Sequence, residues 1–177
     1  ITTLRKDDKS DGRHAIVSWT TSYKADAMRR DFTVNALSVD IKSKIFDYTT
    51  GRSDLAQGLV RFIGDPETRI QEDYLRILRY FRFWSAISPL PLDKNVVKLC
   101  ADNAKGLEVL SADRLRDEMF RLIQTSRAKE ALTEMKKAGI LTKKMLQITF
   151  SKKQTSELLK SDLLPFLTKL GFKIKGE

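Results

Sequence analysis

From Glu67 onward glycine and proline become scarce, and apolar residues recur three and four apart through Tyr74, Ile77, Leu78 and Phe81. That periodicity commits most of the chain to amphipathic helices. Further helices are predicted over residues 112–123, with Ser111 as cap and Asp113 in the first turn, and over residues 127–138, which Gly139 stops. The first third reads differently. Ala15, Val17 and Trp19 alternate with Ile16 and Ser18 as a half-covered strand does, and the opening Ile1-Thr2-Thr3-Leu4-Arg5 also reads as strand. Residues 37–41, a turn at Lys42-Ser43-Lys44 and residues 45–48 carry the pattern of a hairpin. The fold class expected is α+β, with strands first, helices after, and a boundary between Arg61 and Pro66. Ser151-Lys152-Lys153-Gln154-Thr155-Ser156 is expected to be a loop or a cap. A chain that starts at Ile1 rather than methionine suggests a fragment.

The 177 residues suit one domain, or two small lobes sharing a hinge. Apolar residues make up 41% and charged residues 32%, enough for a core and too apolar for a disordered tail. The reading is of a folded, soluble protein. One cysteine, Cys100, excludes an internal disulfide and a thiolate cluster, and one histidine, His14, excludes a multi-histidine metal site. Such cysteine usage points to a reducing compartment, and a cytoplasmic location is expected. No stretch approaches the roughly 20 consecutive apolar residues of a membrane span. The formal charge of +10 favours polyanions such as nucleic acid or nucleotides.

Several familiar sites are set aside. The run from Lys6 to Gly12 is acidic enough to suggest a calcium loop, but Lys9 and Ser18 fall where such a loop needs oxygen ligands at its third and twelfth positions. It reads as a solvated turn. His14 lies beside a strand with no histidine partner and reads as structural, and Cys100, among apolar neighbours, as a small buried hydrophobe. No Ser/His/Asp or Cys/His set assembles from one histidine and one cysteine, and no glycine-rich phosphate loop is present.

Two segments carry chemistry. In Arg29-Arg30-Asp31-Phe32-Thr33-Val34-Asn35-Ala36-Leu37, polar groups crowd the entrance of an apolar run. An arginine fork matches phosphate oxygens, and a carboxylate accepts ribose hydroxyl protons, so the set suits a nucleoside triphosphate. A structural Arg/Asp pair with Asn35 capping a turn is an equal alternative. In Glu72-Asp73-Tyr74-Leu75-Arg76-Ile77-Leu78-Arg79-Tyr80-Phe81-Arg82-Phe83, Asp73 and Arg76 would stand about 60° apart on one helix and project side by side. One acceptor beside one forked donor complements cytosine and adenine, which each show an exocyclic amine next to a bare ring nitrogen. Guanine and uracil present the reverse pattern and would leave buried polar groups unpaired, at roughly 1–3 kcal/mol each. Arg79 and Arg82 continue the cationic strip. An exposed i,i+3 salt bridge is the commoner use of such a pair.

The first segment resembles the second motif of class II tRNA nucleotidyltransferases, the family of CCA-adding enzymes and bacterial poly(A) polymerases. Asp47-Tyr48-Thr49-Thr50-Gly51 with Asp54-Leu55, then Arg61-Phe62-Ile63-Gly64-Asp65-Pro66, resembles the motif linking that family's head and neck. Glu72-Asp73-Tyr74-Leu75-Arg76 is similar to its nucleotide-reading motif, and Leu110-Ser111-Ala112-Asp113-Arg114-Leu115-Arg116-Asp117-Glu118 to its neck-helix motif. The match runs from Ile1 to Leu141 in the family's order.

The resemblance implies that residues 1–62 are the distal part of a nucleotidyltransferase head, residues 63–140 a helical neck that selects nucleotides and binds RNA, and residues 141–177 the start of a helical body. It further implies that Arg30 contacts the incoming triphosphate, Asp31 the ribose, and Asp73 with Arg76 the base edge, with Arg79 and Arg82 holding phosphates and Asn35 completing the nucleotide site. CTP, ATP and the tRNA acceptor stem are the implied partners. The start at Ile1 and Asp11-Gly12-Arg13-His14-Ala15 lean toward the CCA-adding branch. The metal-binding aspartates of the family, which hold Mg²⁺, would precede Ile1. The chain alone is therefore expected to bind nucleotide without transferring it, and no metal ligand is assigned in it. A bacterial poly(A) polymerase and a non-catalytic RNA-binding remnant are the alternatives. Asp113 stands where the family often has glutamate, and beyond Lys143 only Ser161-Asp162-Leu163-Leu164-Pro165-Phe166 faintly resembles a later body segment.

Overall fold

The computed structural model describes residues 4–10 and 15–174. His14 and the opening residues 1–3 lie outside the described residues, so the expectations placed on them find no test there. The chain divides into two compact units, Ile1–Asp73 with Ile87–Pro91, and Tyr74–Ala86 with Leu92–Glu177.

The first unit carries the strands. β1 (Arg5–Ser10) and β2 (Ala15–Trp19) pair antiparallel, with Arg5 opposite Trp19 and an irregularity between Asp7 and Lys9. α1 (Tyr23–Met28) follows, capped by the Ser22 hydroxyl, which accepts from the Ala25 amide at 3.2 Å. The expected hairpin is present but short: β3 (Ser38–Val39) pairs with β4 (Ile45–Phe46) in the register Ser38 to Phe46 and Val39 to Ile45. Its connection is shaped by Asp40, whose carboxylate accepts from the amides of Lys42 (2.8 Å) and Lys44 (2.9 Å). α2 (Gly51–Gln57) and α3 (Pro66–Glu72) complete the unit. Asp65 caps α3 and Pro66 sits in its first turn, where a missing N–H costs nothing.

An isolated antiparallel bridge between Phe32 and Phe62 organises the interior of this unit. The Thr33 amide donates to the Arg61 carbonyl at 3.0 Å and the Ile63 amide to the Asp31 carbonyl at 2.9 Å. The two rings pack at 4.7 Å between centroids, beside buried Ala27, Ala36 and Ile63.

The second unit is helical. α4 (Leu75–Ile87) buries Leu75, Ile77, Leu78, Tyr80, Phe81 and Trp84, the stripe its periodicity predicts. α5 (Lys94–Asp102), a 3-10 segment (Ala104–Val109), α6 (Ala112–Ile123) and α7 (Ala128–Lys137) follow. The ends of α6 and α7 agree with the sequence: the Ser111 hydroxyl accepts from the Arg114 amide at 3.3 Å, and Gly139 takes φ +73°, where a side chain would be strained. α8 (Lys143–Leu146), α9 (Lys152–Leu159) and α10 (Leu164–Leu170) close the chain. Ser151 proves to be a cap, joined with Gln154 in a reciprocal capping box on α9. Cys100 is fully buried, and burial pushes its thiol up to about 12.

Candidate functional site

α1 ends at Met28, so Arg29 and Arg30 leave its last turn beside Asp26, which is 1% exposed. The buried carboxylate takes both guanidiniums. Arg29 donates to Oδ1 from Nε (3.0 Å) and from a terminal nitrogen (2.6 Å), and Arg30 donates to Oδ2 in the same way (3.0 and 2.7 Å). The Arg5 amide adds a third partner at 3.0 Å. Burial pushes the Asp26 carboxyl up, but these donors more than offset it and hold it below its ordinary value. Two cations on one anion leave a local surplus of positive charge, and both arginine side chains keep partial exposure, 26% and 34%.

Asp31 bonds within its own turn. It is buried, and its Oδ1 accepts from the Asn35 side-chain amide at 2.6 Å and from the Phe32 amide at 3.1 Å. Asn35 Oδ1 accepts from that same amide at 3.3 Å, so Asp31 and Asn35 lock the 3-10 turn Thr33–Asn35. The turn anticipated for Asn35 is realised, with the arginines partnered by Asp26 instead. Arg69 of α3 fastens the segment from the other side, donating to the carbonyls of Arg29 (2.8 Å) and Arg30 (2.6 Å).

The Asp47 segment supports this arrangement. Asp47 accepts from the amides of Thr49 (3.0 Å), Gly51 (3.0 Å) and Arg52 (2.9 Å) and so caps α2. Asp54, buried on α2, accepts from the hydroxyls of Thr33 (2.7 Å) and Thr50 (3.2 Å) and pairs with Arg61 at 3.3 Å.

The second segment departs from expectation in one respect. α3 ends at Glu72 and α4 begins at Leu75, with Asp73 extended between them (φ −155°, ψ +103°). Asp73 and Arg76 therefore do not share one helix surface. Periodicity conceals the break because Ile77, Leu78 and Phe81 stay in phase within α4, and Tyr74 keeps the same spacing just before it. Glu72 pairs with Arg69 at 2.6 Å. On α4, Arg79 and Arg82 flank Phe83, with guanidinium carbons 5.6 and 4.4 Å from the ring centre. Both also face Glu118 of α6, which is 3% exposed: Arg82 Nε donates to Oε1, and Arg79 lies 4.0 Å from Oε2. Asp113 in the first turn of α6 pairs with Arg116 at 2.7 Å.

The partners of three buried carboxylates escaped the sequence reading. Asp26 left a usable signal, since it stands three and four residues before the arginines it holds. Asp54 and Glu118 left none, because their partners Thr33 and Arg82 are 21 and 36 residues away.

A small strand-bearing unit with two arginines gathered on one buried carboxylate, followed by a helical unit, is the class these features define. Residues 1–61 match the family model described as poly A polymerase head domain, and residues 90–150 that described as probable RNA and SrmB-binding site of polymerase A. The chain is 46% identical over 125 residues to human CCA tRNA nucleotidyltransferase 1, mitochondrial, covering 70% of this chain and 29% of that protein. It is 33% identical over 143 residues to the CCA-adding enzyme of Bacillus velezensis, covering 80% of this chain and 36% of that protein. The crystal structure of the Bacillus stearothermophilus CCA-adding enzyme in complex with CTP superposes with a TM-score of 0.74 at 26% identity, over 97% of this chain and 44% of that one. The chain belongs to the family of CCA-adding tRNA nucleotidyltransferases and poly(A) polymerases. It spans about a third of the length of these sequence relatives.

Proposed function

We propose that the chain is part of a template-independent nucleotidyltransferase that adds CCA to the 3′ end of tRNA. On this reading residues 1–62 are the distal head, residues 63–140 the neck and residues 141–177 the start of the body. The observation that supports it most is the likeness, over nearly the whole chain, to a CCA-adding enzyme solved with CTP.

Arg30 contacts the incoming triphosphate, with its guanidinium aimed by Asp26, and Asp31 accepts from the ribose, braced by Asn35. Asp73 and Arg76, on either side of the extended link, read the base edge of CTP and then ATP by accepting from the exocyclic amine and donating to the ring nitrogen. Arg79 and Arg82 serve phosphates while anchored on Glu118. The 3′ hydroxyl of tRNA attacks the α-phosphate, and pyrophosphate leaves. Among the described residues no three His, Cys, Asp or Glu side chains gather so as to hold a metal ion, so the Mg²⁺ implied by the family does not fit these residues. The acceptor stem lies against the basic helices, with exposed Lys136 and Lys137 ending α7 and Lys143 opening α8. Affinity for tRNA then falls steeply as salt rises. Among the described residues no helix is long and apolar enough to cross a membrane. A cytoplasmic setting is part of the proposal, although the human relative's name places that protein in mitochondria.

Poly(A) polymerase is the second reading, favoured by the description of the matching head domain. The longer protein carrying this chain, given tRNA that ends at its discriminator base together with CTP and ATP, should add three nucleotides and stop. A long adenylate tail would identify a poly(A) polymerase, and no addition an RNA-binding remnant.

A further inference from the structure

Gly106 lies in the 3-10 segment between α5 and α6, and its φ is outside the left-handed region, so its own backbone does not call for glycine. Its surroundings do. A Cβ at this position would lie 2.1 Å from Cδ1 of Tyr74 and 2.3 Å from Cε1 and Cγ, all ring atoms and one of them at the root of the side chain. The ring is therefore seated directly on the Gly106 backbone. The seat is held firmly: the Gly106 amide donates to the Asn103 carbonyl at 2.9 Å, Leu107 is fully buried, and Lys144 of α8 donates to the carbonyls of Glu108 (2.7 Å) and Leu110 (2.6 Å).

Tyr74 occupies the point where this matters. It follows the extended Asp73, and its carbonyl accepts from the Ile77 amide at 3.1 Å, so it forms the first bend into α4. Its ring therefore bears on the first turn of α4, which carries Arg76.

We infer that Gly106 is a positioning residue for nucleotide selection: it seats the Tyr74 ring and thereby fixes the first turn of α4, which carries Arg76. The inference rests on the assignment of Arg76, with Asp73, to the base edge. It adds a residue more than thirty positions away, in the segment between α5 and α6, to the parts that determine which base is accepted. Glycine is required there because any side chain would lift the ring and shift the first turn of α4, and displacements of about 1 Å at a reading site cost on the order of a hundredfold.

The test uses the longer protein carrying this chain and measures kcat/KM for CTP against UTP and for ATP against GTP. Gly106→Ala should lower both ratios at least tenfold in a protein that still folds by circular dichroism, and Gly106→Ala with Tyr74→Leu, which makes room for the methyl, should recover much of the loss. Tyr74→Phe, which keeps the seat, should retain the ratios, whereas Tyr74→Ala should lower them; this pair decides the matter where Gly106→Ala does not fold. Unchanged ratios in folded Gly106→Ala or Tyr74→Ala, while Asp73→Ala abolishes selection, would overturn the inference and leave the base-edge assignment standing. Unchanged ratios in Asp73→Ala itself would overturn both.

Discussion

Asp26 grips Arg30 along one edge of its guanidinium, Nε at 3.0 Å and a terminal nitrogen at 2.7 Å from the same carboxylate oxygen. The remaining nitrogen reaches no further than a long bond of 3.4 Å to the Asn35 carbonyl. A planar fork held by one edge has its other donors aimed, and the ordering entropy is met before any ligand arrives. On the proposed reading, Asp26 thus serves the nucleotide site without touching nucleotide.

Replacing Asp26 by asparagine keeps the shape and removes the charge. The expected result is a rise in KM for nucleotide of about tenfold with a smaller change in kcat, and a loss of about 2 kcal/mol of stability once the partial exposure of the arginines is allowed for. Steady-state kinetics and urea unfolding check the two parts separately. A fall in kcat with KM unchanged would show that the arginines act on the reacting phosphate rather than on binding.

Glu118 offers a second test, in the helical unit. Its carboxylate is buried against Arg82 and near Arg79, so Glu118→Ala takes from Arg82 the carboxylate it donates to and should cost about 3 kcal/mol in urea unfolding. Glu118→Gln, which still accepts from Arg82, should cost about half as much. Equal stability in all three proteins would mean that the arginines are held by other groups.

Acid should loosen the α2 cap. Burial pushes the Asp47 carboxyl up, and the backbone amides of Arg52, Thr49, Gly51 and Thr50 outweigh it, leaving the carboxyl below its ordinary 3.8. A carboxyl depressed in the folded state stabilises above its unfolded value, and that contribution is lost as pH falls through the lower folded value. Thermal unfolding followed downward from about pH 5 should show Asp47→Asn losing less stability than the unaltered chain over the range below about 4. Identical slopes would remove Asp47 from the acid response.

Much of this architecture is legible in the sequence. Helix boundaries at Ser111 and Gly139 are written in local chemistry, a hydroxyl that caps and a residue that tolerates positive φ, and the core stripe of α4 is written in its spacing. The break at Asp73 is not, because an extended residue between two helices leaves the apolar phase on α4 intact. The roles of Asp54 and Glu118 are hidden for a related reason. A buried acid is recognised by the donor it meets, and here chain topology, not spacing, brings Thr33 and Arg82 to them.

The central claim concerns Asp73 and Arg76, and the most direct measurement is single-nucleotide addition to tRNA by the longer protein, with each of the four nucleoside triphosphates in turn, in Asp73→Ala and Arg76→Ala. Incorporation of both C and A should fall by at least tenfold relative to U and G, while tRNA affinity changes little. Preference for CTP and ATP surviving in either variant would contradict the account.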